Sequence, residues 1–278
     1  MIYQPRLKNK VRVGGPWVRI AYAHKRWSLK LIIIMSNESQ YSANPARSSP
    51  MLGLLFPARV SAAEMREPGD SSLLLPEETN CLGRAVPKRI GEFAAGRLCA
   101  RRALADYSIV DFPLRAAPDR QPLWPAGMVG SITHTAGLCA AVVAERRTLA
   151  AVGLDSEIVG HVTPDIWSTV CGPPESDWLR SLPTSEQAAA ITLIFSAKEA
   201  FYKCQYPVTG EWLDFNDLLI EPLAWGRNPG EVLIRATRRI AFAAQARMPM
   251  PGRYRYHEKF VSVGVAMPAS TPCRPGTP

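Results

Sequence analysis

Two short stretches concentrate the charged side chains that could do chemistry in this sequence. "GLDSE" sets Asp155 and Glu157 two residues apart. On a strand that spacing projects both carboxylates to one side, about 7 Å apart by the strand rise. Two hard oxygen donors so placed suit Mg²⁺, which keeps its other positions for water and substrate phosphates. A solvated turn after a strand carries the same letters, so the pair alone does not decide. "FSAKEAFYK" supplies Lys198, Glu199 and Lys203. On a helix Glu199 and Lys203, four apart, share a face flanked by Phe195 and Tyr202, with Lys198 beside them. A solvated ion pair is the commoner cause of that spacing. A third carboxylate for a metal site, with two lysines for phosphate charge, also accounts for the aromatic neighbours.

Two further stretches carry polar groups in apolar settings. In "GSITH", Ser131 and His134 are no nucleophile elbow, because the GxSxG pattern is absent. On an alternating strand His134 shares a face with Gly130 and Ile132, where an imidazole serves either the core or a phosphate at the strand end. In "AGRLCARRAL", Arg97 follows Phe93 by four and precedes Ala100 by three, on a largely apolar side. A buried guanidinium needs an anion, either a structural carboxylate or a ligand phosphate. Lys88 and Arg89, just before this run, read as surface charge.

The elements that must position these groups are legible as periods. "VPKRIGEFAAGRLCARRALADY" predicts a helix over 88–107, with Ile90, Phe93, Ala94, Leu98, Leu104 and Ala105 on its apolar side. "MVGSITH", "LCAAVVA" and "LAAVGLD" predict three strands in a meander that ends at Asp155. Thr184 and Gln187 have capping-box spacing and predict a long helix running through Lys203. "EVLIRAT" and "KFVSVGVAM" predict two more strands. The succession implies an α+β fold of two similar halves, over 51–160 and 161–268. Residues 1–50 read as a basic, disordered extension containing the polar linker "SNESQYSANPARSSP", with Met35 as an alternative start. Residues 269–278 read as a Pro-rich flexible tail.

A chain of 278 residues, 47% apolar, can bury a sizeable core. Its formal charge of +9 is unevenly spread: residues 1–50 hold nine Lys/Arg against one acid, and 221–278 hold nine against three. Between them fifteen face twenty acids, so the body is mildly acidic and does not read as a nucleic-acid surface. No run of 18 apolar residues exists to span a membrane, and the apolar part of "KRWSLKLIIIM" is too short for a usual signal sequence. The six cysteines show no CxxC pair and no zinc spacing, which suits reduced thiols in the cytoplasm.

Taken in order, "AGRLCARRAL", "QPLWPAGMVGSITH", "VGLDSE" and "FSAKEAFYK" resemble the 4′-phosphopantetheinyl transferases. The resemblance is strongest to the enterobactin-synthetase-component-D type of the larger monomeric class, and spans roughly residues 54–215. It implies two similar α+β halves with the active site between them. It implies Mg²⁺-dependent transfer of the 4′-phosphopantetheine group of coenzyme A to a serine of an apo acyl or peptidyl carrier protein, releasing 3′,5′-ADP. That is a holo-[acyl-carrier-protein] synthase type of activity, and siderophore, fatty-acid and polyketide carriers all satisfy it. By resemblance Asp155 and Glu157 fall on the Mg²⁺ ligands, and Glu199 on a further ligand or the general base. Lys198 and Lys203 fall on the lysines at the pyrophosphate, and Arg97, Ser131 and His134 on holders of the coenzyme A phosphates. Gln121 stands where a basic residue often precedes the proline of "QPLWP", leaving its neighbour Arg120 as the substitute. Two rivals keep other classes open. A Mg²⁺ nuclease or phosphodiesterase usually places a lysine two residues after an acid on a strand, whereas Lys198 precedes Glu199 on a helix. A non-enzymatic module would bind through the basic ends.

Overall fold

The structure, a computed structural model, describes residues 46–66 and 68–269. Most of the basic extension, including Met35, and nearly all of the Pro-rich tail therefore lie outside the described residues. Within the expected extension, Arg47–Ser48 form the edge strand β1 rather than a disordered tract. Its backbone pairs with Glu64 and Ala63 of β2 (Ser61–Met65).

The first half is an antiparallel sheet ordered β1-β2-β4-β3, with β3 at Met128–Thr135 and β4 at Leu138–Glu145. Two single-turn helices, α1 (Pro50–Gly53) and α2 (Pro76–Thr79), precede its main helix, α3 (Pro87–Ala105). Proline at the helix start costs no hydrogen bond there, because the first N–H groups have no intrahelical partner. The buried side of α3 is small: Ala94, Ala95, Ala100 and Ala103 let it lie close on the sheet. At Gly96 even a methyl group would sit 3.2 Å from Ile132 of β3.

The second half is a larger antiparallel sheet ordered β5-β9-β8-β7-β6. Its strands are β5 (Leu149–Ile158), β6 (Leu218–Pro222), β7 (Gly230–Ala236), β8 (Met250–His257) and β9 (Phe260–Pro268). Short helices α4 (Trp167–Val170) and α5 (Pro173–Ser181) lead into α6 (Thr184–Thr209), whose apolar residues join the largest core cluster with β7, β8 and β9. Each half is thus a long helix on an antiparallel sheet, as expected for an α+β protein. Among the described residues, no helix is long and apolar enough to cross a membrane.

Two expectations change. The meander breaks after β4: β5 pairs with β9, Asp155 opposite Val263 and Glu157 opposite Val261. The second edge of β4 is already taken by β2, with Ala62 opposite Val142, so β5 has no backbone left to pair with there. The backbone pairing therefore places β5 in the second sheet, although the expected division at residue 160 puts it in the first half. At the start of α6, Thr184 is the first helical residue and Pro183 the cap, with no side-chain capping bond. Gln187 Nε2 instead donates to Leu182 O at 3.1 Å.

Gly153 controls how closely β5 and α6 approach. A Cβ there would lie 1.9 Å from Ala200 O and 2.8 Å from Cys204 N, both of them backbone atoms of α6. We expect Gly153→Ala to lose about 1–3 kcal/mol or more through overpacking. Urea unfolding of the two proteins measures this, and a midpoint equal to the parent's would show that the helix can move off β5 freely.

Candidate active site

Strand geometry continues through "GLDSE", and β5 carries Asp155 into the join between the two sheets. Asp155 is fully buried. Its Oδ1 accepts from Lys203 Nζ at 2.6 Å and from Thr133 Oγ1 at 3.1 Å. Lys203 also donates to Leu154 O at 3.3 Å, so the helix lysine reaches across to the strand. Burial alone would lower the Lys203 pKa. Asp155, Glu199 and Glu157 outweigh it, and the net shift is upward, holding the ammonium charged. The side chain keeps 23% exposure, enough for its charge to meet a ligand.

Glu157 lies two residues further along, partly buried, and its Oε2 accepts from Thr135 Oγ1 at 3.2 Å. Glu199 is also partly buried, one helical turn before Lys203. The third carboxylate does not complete a metal cage: among the described residues no three His, Cys, Asp or Glu side chains converge on one point. A two-carboxylate site fits better. Asp155 Oδ2 is buried without a hydrogen-bond partner. A bare buried carboxylate oxygen is costly, and a hard divalent cation satisfies it. Mg²⁺ characteristically uses one or two carboxylates and takes its other ligands from water and phosphate.

Lys198 departs from expectation. It is 1% exposed, and its Nζ donates to Glu175 Oε2 at 2.6 Å and to Val170 O at 2.8 Å. Five residues separate it from Lys203, which puts the two about 140° apart around the helix. One faces β5 and the other faces α4 and α5. Burial lowers the Lys198 pKa, with Glu175 opposing the shift. Glu175 in turn accepts from Gly172 N and Ile220 N, so the pair ties α6, α5 and β6 together. The aromatic neighbours of this segment also pack among themselves: Phe195 lies 5.4 Å from Phe215, and Tyr202 stacks on Tyr206 at 5.3 Å.

The expected phosphate-holding residues separate into groups. Arg97 is buried, its guanidinium 3.7 Å from the Phe93 ring centre, and its Nε donates to Leu114 O at 3.1 Å. Burial depresses its pKa to about 10, with nearby Glu78 partly opposing. Glu78 is itself bound by Arg101 and by Leu114 N, and among the described residues no carboxylate lies within ion-pair distance of Arg97. A buried cation so placed suits an incoming anion. His134 points toward α3, its Nε2 3.7 Å from Glu92 Oε1. Ser131 does not reach a ligand surface: it is buried, and its Oγ accepts from Leu154 N at 3.0 Å. Arg120 sits on an exposed turn before β3 with φ of 71°, and makes none of the cluster's contacts.

Thr133 and Thr135 went unnoticed in the sequence, although a signal was present. "GSITHT" carries hydroxyls at alternate positions, as "LDSE" carries carboxylates. β3 thus turns Ser131, Thr133 and Thr135 toward β5, while Ile132 and His134 face α3.

Residues 77–144 match the 4′-phosphopantetheinyl transferase N-terminal domain, and residues 151–254 match the 4′-phosphopantetheinyl transferase superfamily. The 4′-phosphopantetheinyl transferase Npt of Nocardia iowensis is 34% identical over 168 residues, which covers 60% of this chain and 74% of that protein. The chain belongs to the 4′-phosphopantetheinyl transferases. The family's Svp from Streptomyces mobaraensis is 41% identical over 154 residues, covering 54% of this chain and 63% of Svp. Enterobactin synthase component D of Salmonella typhi is 38% identical over 130 residues, covering 44% of this chain and half of that protein. The boundary between the two family matches falls between β4 and β5, where the backbone changes sheets.

The placement of Lys198 makes its role measurable. Lys198→Ala leaves Glu175 charged, buried and unpaired, and we expect it to lose about 3–5 kcal/mol of stability. Denaturant unfolding tests this. A variant as stable as the parent would show that the pair does not hold α5 and β6 to α6.

Proposed function

We propose that the chain transfers the 4′-phosphopantetheine group of coenzyme A to a serine hydroxyl of an apo acyl or peptidyl carrier protein, releasing 3′,5′-ADP, with Mg²⁺ held by Asp155 and Glu157. The observation that carries this reading is the Lys203–Asp155 bridge, which leaves Asp155 Oδ2 buried without a hydrogen-bond partner at the join of the two sheets. When bound there, Mg²⁺ would neutralise charge on the pyrophosphate oxygens. Lys203, charged and part-exposed, contributes a second positive centre for the same oxygens. Arg97 and His134, on the α3 side of β3, hold phosphates of coenzyme A.

Glu199 takes the serine proton. It stands one helical turn before Lys203 on the same face of α6, and this placement supports the role of base. Both halves lie on one chain, so the site needs no second copy and the protein acts as a monomer. The free cysteines Cys81, Cys99, Cys139, Cys171 and Cys204 suit a reducing, cytoplasmic setting.

Incubation with coenzyme A, Mg²⁺ and a panel of apo-carrier proteins should add the phosphopantetheine mass to at least one carrier. Release of 3′,5′-ADP without any mass gain would mean that water, not a carrier serine, takes the phosphopantetheine, and would point to a phosphoanhydride hydrolase. Asp155→Asn should demand much more Mg²⁺ for the same rate, and an unchanged Mg²⁺ titration would remove Asp155 from the metal site. Glu199→Gln should lose at least about a hundredfold in kcat, in line with general-base magnitudes. Excess Mg²⁺ should not restore it, and full rescue would make Glu199 a metal ligand only.

A further inference from the structure

β3 belongs to the first sheet and β5 to the second, yet three alternate hydroxyls of β3 reach β5. Ser131 Oγ accepts from Leu154 N at 3.0 Å. Thr133 Oγ1 accepts from Ser156 N at 2.9 Å and donates to Asp155 Oδ1 at 3.1 Å. Thr135 Oγ1 donates to Glu157 Oε2 at 3.2 Å. The first rung meets backbone only; the second and third each end on a carboxylate.

We propose that Thr133 and Thr135 are positioning residues: from the first half, they set which oxygens of Asp155 and Glu157 are turned to a divalent cation. This rests on the reading of those carboxylates as the Mg²⁺-holding pair. A hydroxyl has one proton to give. At Thr133 the Ser156 amide occupies an acceptor position, which leaves the proton directed at Asp155. Lys203 donates to the same Oδ1, so both donors load one oxygen and leave Oδ2 bare. Threonine suits the task because branching at Cβ restricts χ1 and holds the hydroxyl in place. Thr135 is buried and engages one oxygen of Glu157 in the same manner. The threonines' share of this orientation exists only while the halves are docked, because β3 and β5 belong to different sheets.

Mn²⁺ serves as the probe, its bound fraction read from its solution EPR signal with coenzyme A present and no carrier protein. Thr133→Val and Thr135→Val keep the side-chain shape and remove the hydroxyl. Each should raise the Mn²⁺ midpoint about tenfold, the usual loss when an outer partner of a metal ligand is removed. Thr133→Ser and Thr135→Ser should bring it back close to the parent. Ser131→Ala removes the rung that meets no carboxylate, and should lower the melting temperature while leaving the Mn²⁺ midpoint at the parent value. Valine variants that bind Mn²⁺ like the parent would overturn the proposal. So would an equal weakening in Ser131→Ala, or valine effects that serine does not reverse. Thr133→Val strips Ser156 N of its acceptor; if it fails to fold, Thr135→Val decides, since that hydroxyl serves a side chain. Asp155→Asn separates the two levels of inference. If the parent binds Mn²⁺ and Asp155→Asn weakens it, the carboxylate pair stands and the threonines are judged alone. If Asp155→Asn binds as well as the parent, the metal reading fails and the proposal falls with it.

Discussion

A fully buried carboxylate at the seam of two sheets needs compensation from every side, and Asp155 receives it from both halves. Lys203 comes from the helix of the second half and Thr133 from the edge strand of the first. Neither donor is next to Asp155 in the chain, so the charge is paired only after the second half has folded, and its hydrogen bonding is complete only after the first half has docked. The close approach at Gly153 serves the same end, because it draws α6 onto β5 near enough for Lys203 to span the gap. Stability and site assembly are therefore one event here. An unpaired Asp155 would cost several kcal/mol, a large share of the net stability of a typical domain.

α6 divides its charged residues by direction. Lys198 is sealed against Glu175 among α4, α5 and β6, where an ion pair with good hydrogen bonds fixes the packing of the second half. Lys203 meets a carboxylate with an open flank and keeps part of its surface in solvent. The two lysines are chemically identical, and only their surroundings seal one inside the second half and leave the other part-exposed beside Asp155. Glu199, between them in sequence, shares the face of Lys203 and raises its pKa together with Asp155 and Glu157.

β3 likewise works on two faces. Its α3 side carries His134, near the helix that holds Arg97, and its β5 side carries the hydroxyls that meet the carboxylates. Period-two alternation alone separates the face that meets α3 from the face that meets the carboxylates. A one-residue slip of this strand would exchange the two sets, which is why its register against β4, with Ser131 opposite Val142 and Thr133 opposite Ala140, matters to the chemistry.

The sequence by itself determined what depends on near neighbours. The helix beginning near residue 88, the strands around Ser131, Cys139 and Asp155, and the motifs "GLDSE" and "FSAKEAFYK" all follow from local period and residue type. Even the opposed directions of Lys198 and Lys203 were present in a spacing of five. β2, β6 and β8 were missed, since "SAAEM", "LLIEP" and "MPGRYRYH" are short or interrupted by proline and charge and form strands by pairing with neighbours. Tertiary structure decided that β5 leaves the first sheet, that Glu175 claims Lys198, and that Thr133 and Thr135 meet the two carboxylates. Each is a competition for a hydrogen-bonding edge or a buried charge between residues far apart in the chain. Such a competition is settled by which partner arrives with its own groups unsatisfied, and no local pattern of letters records that.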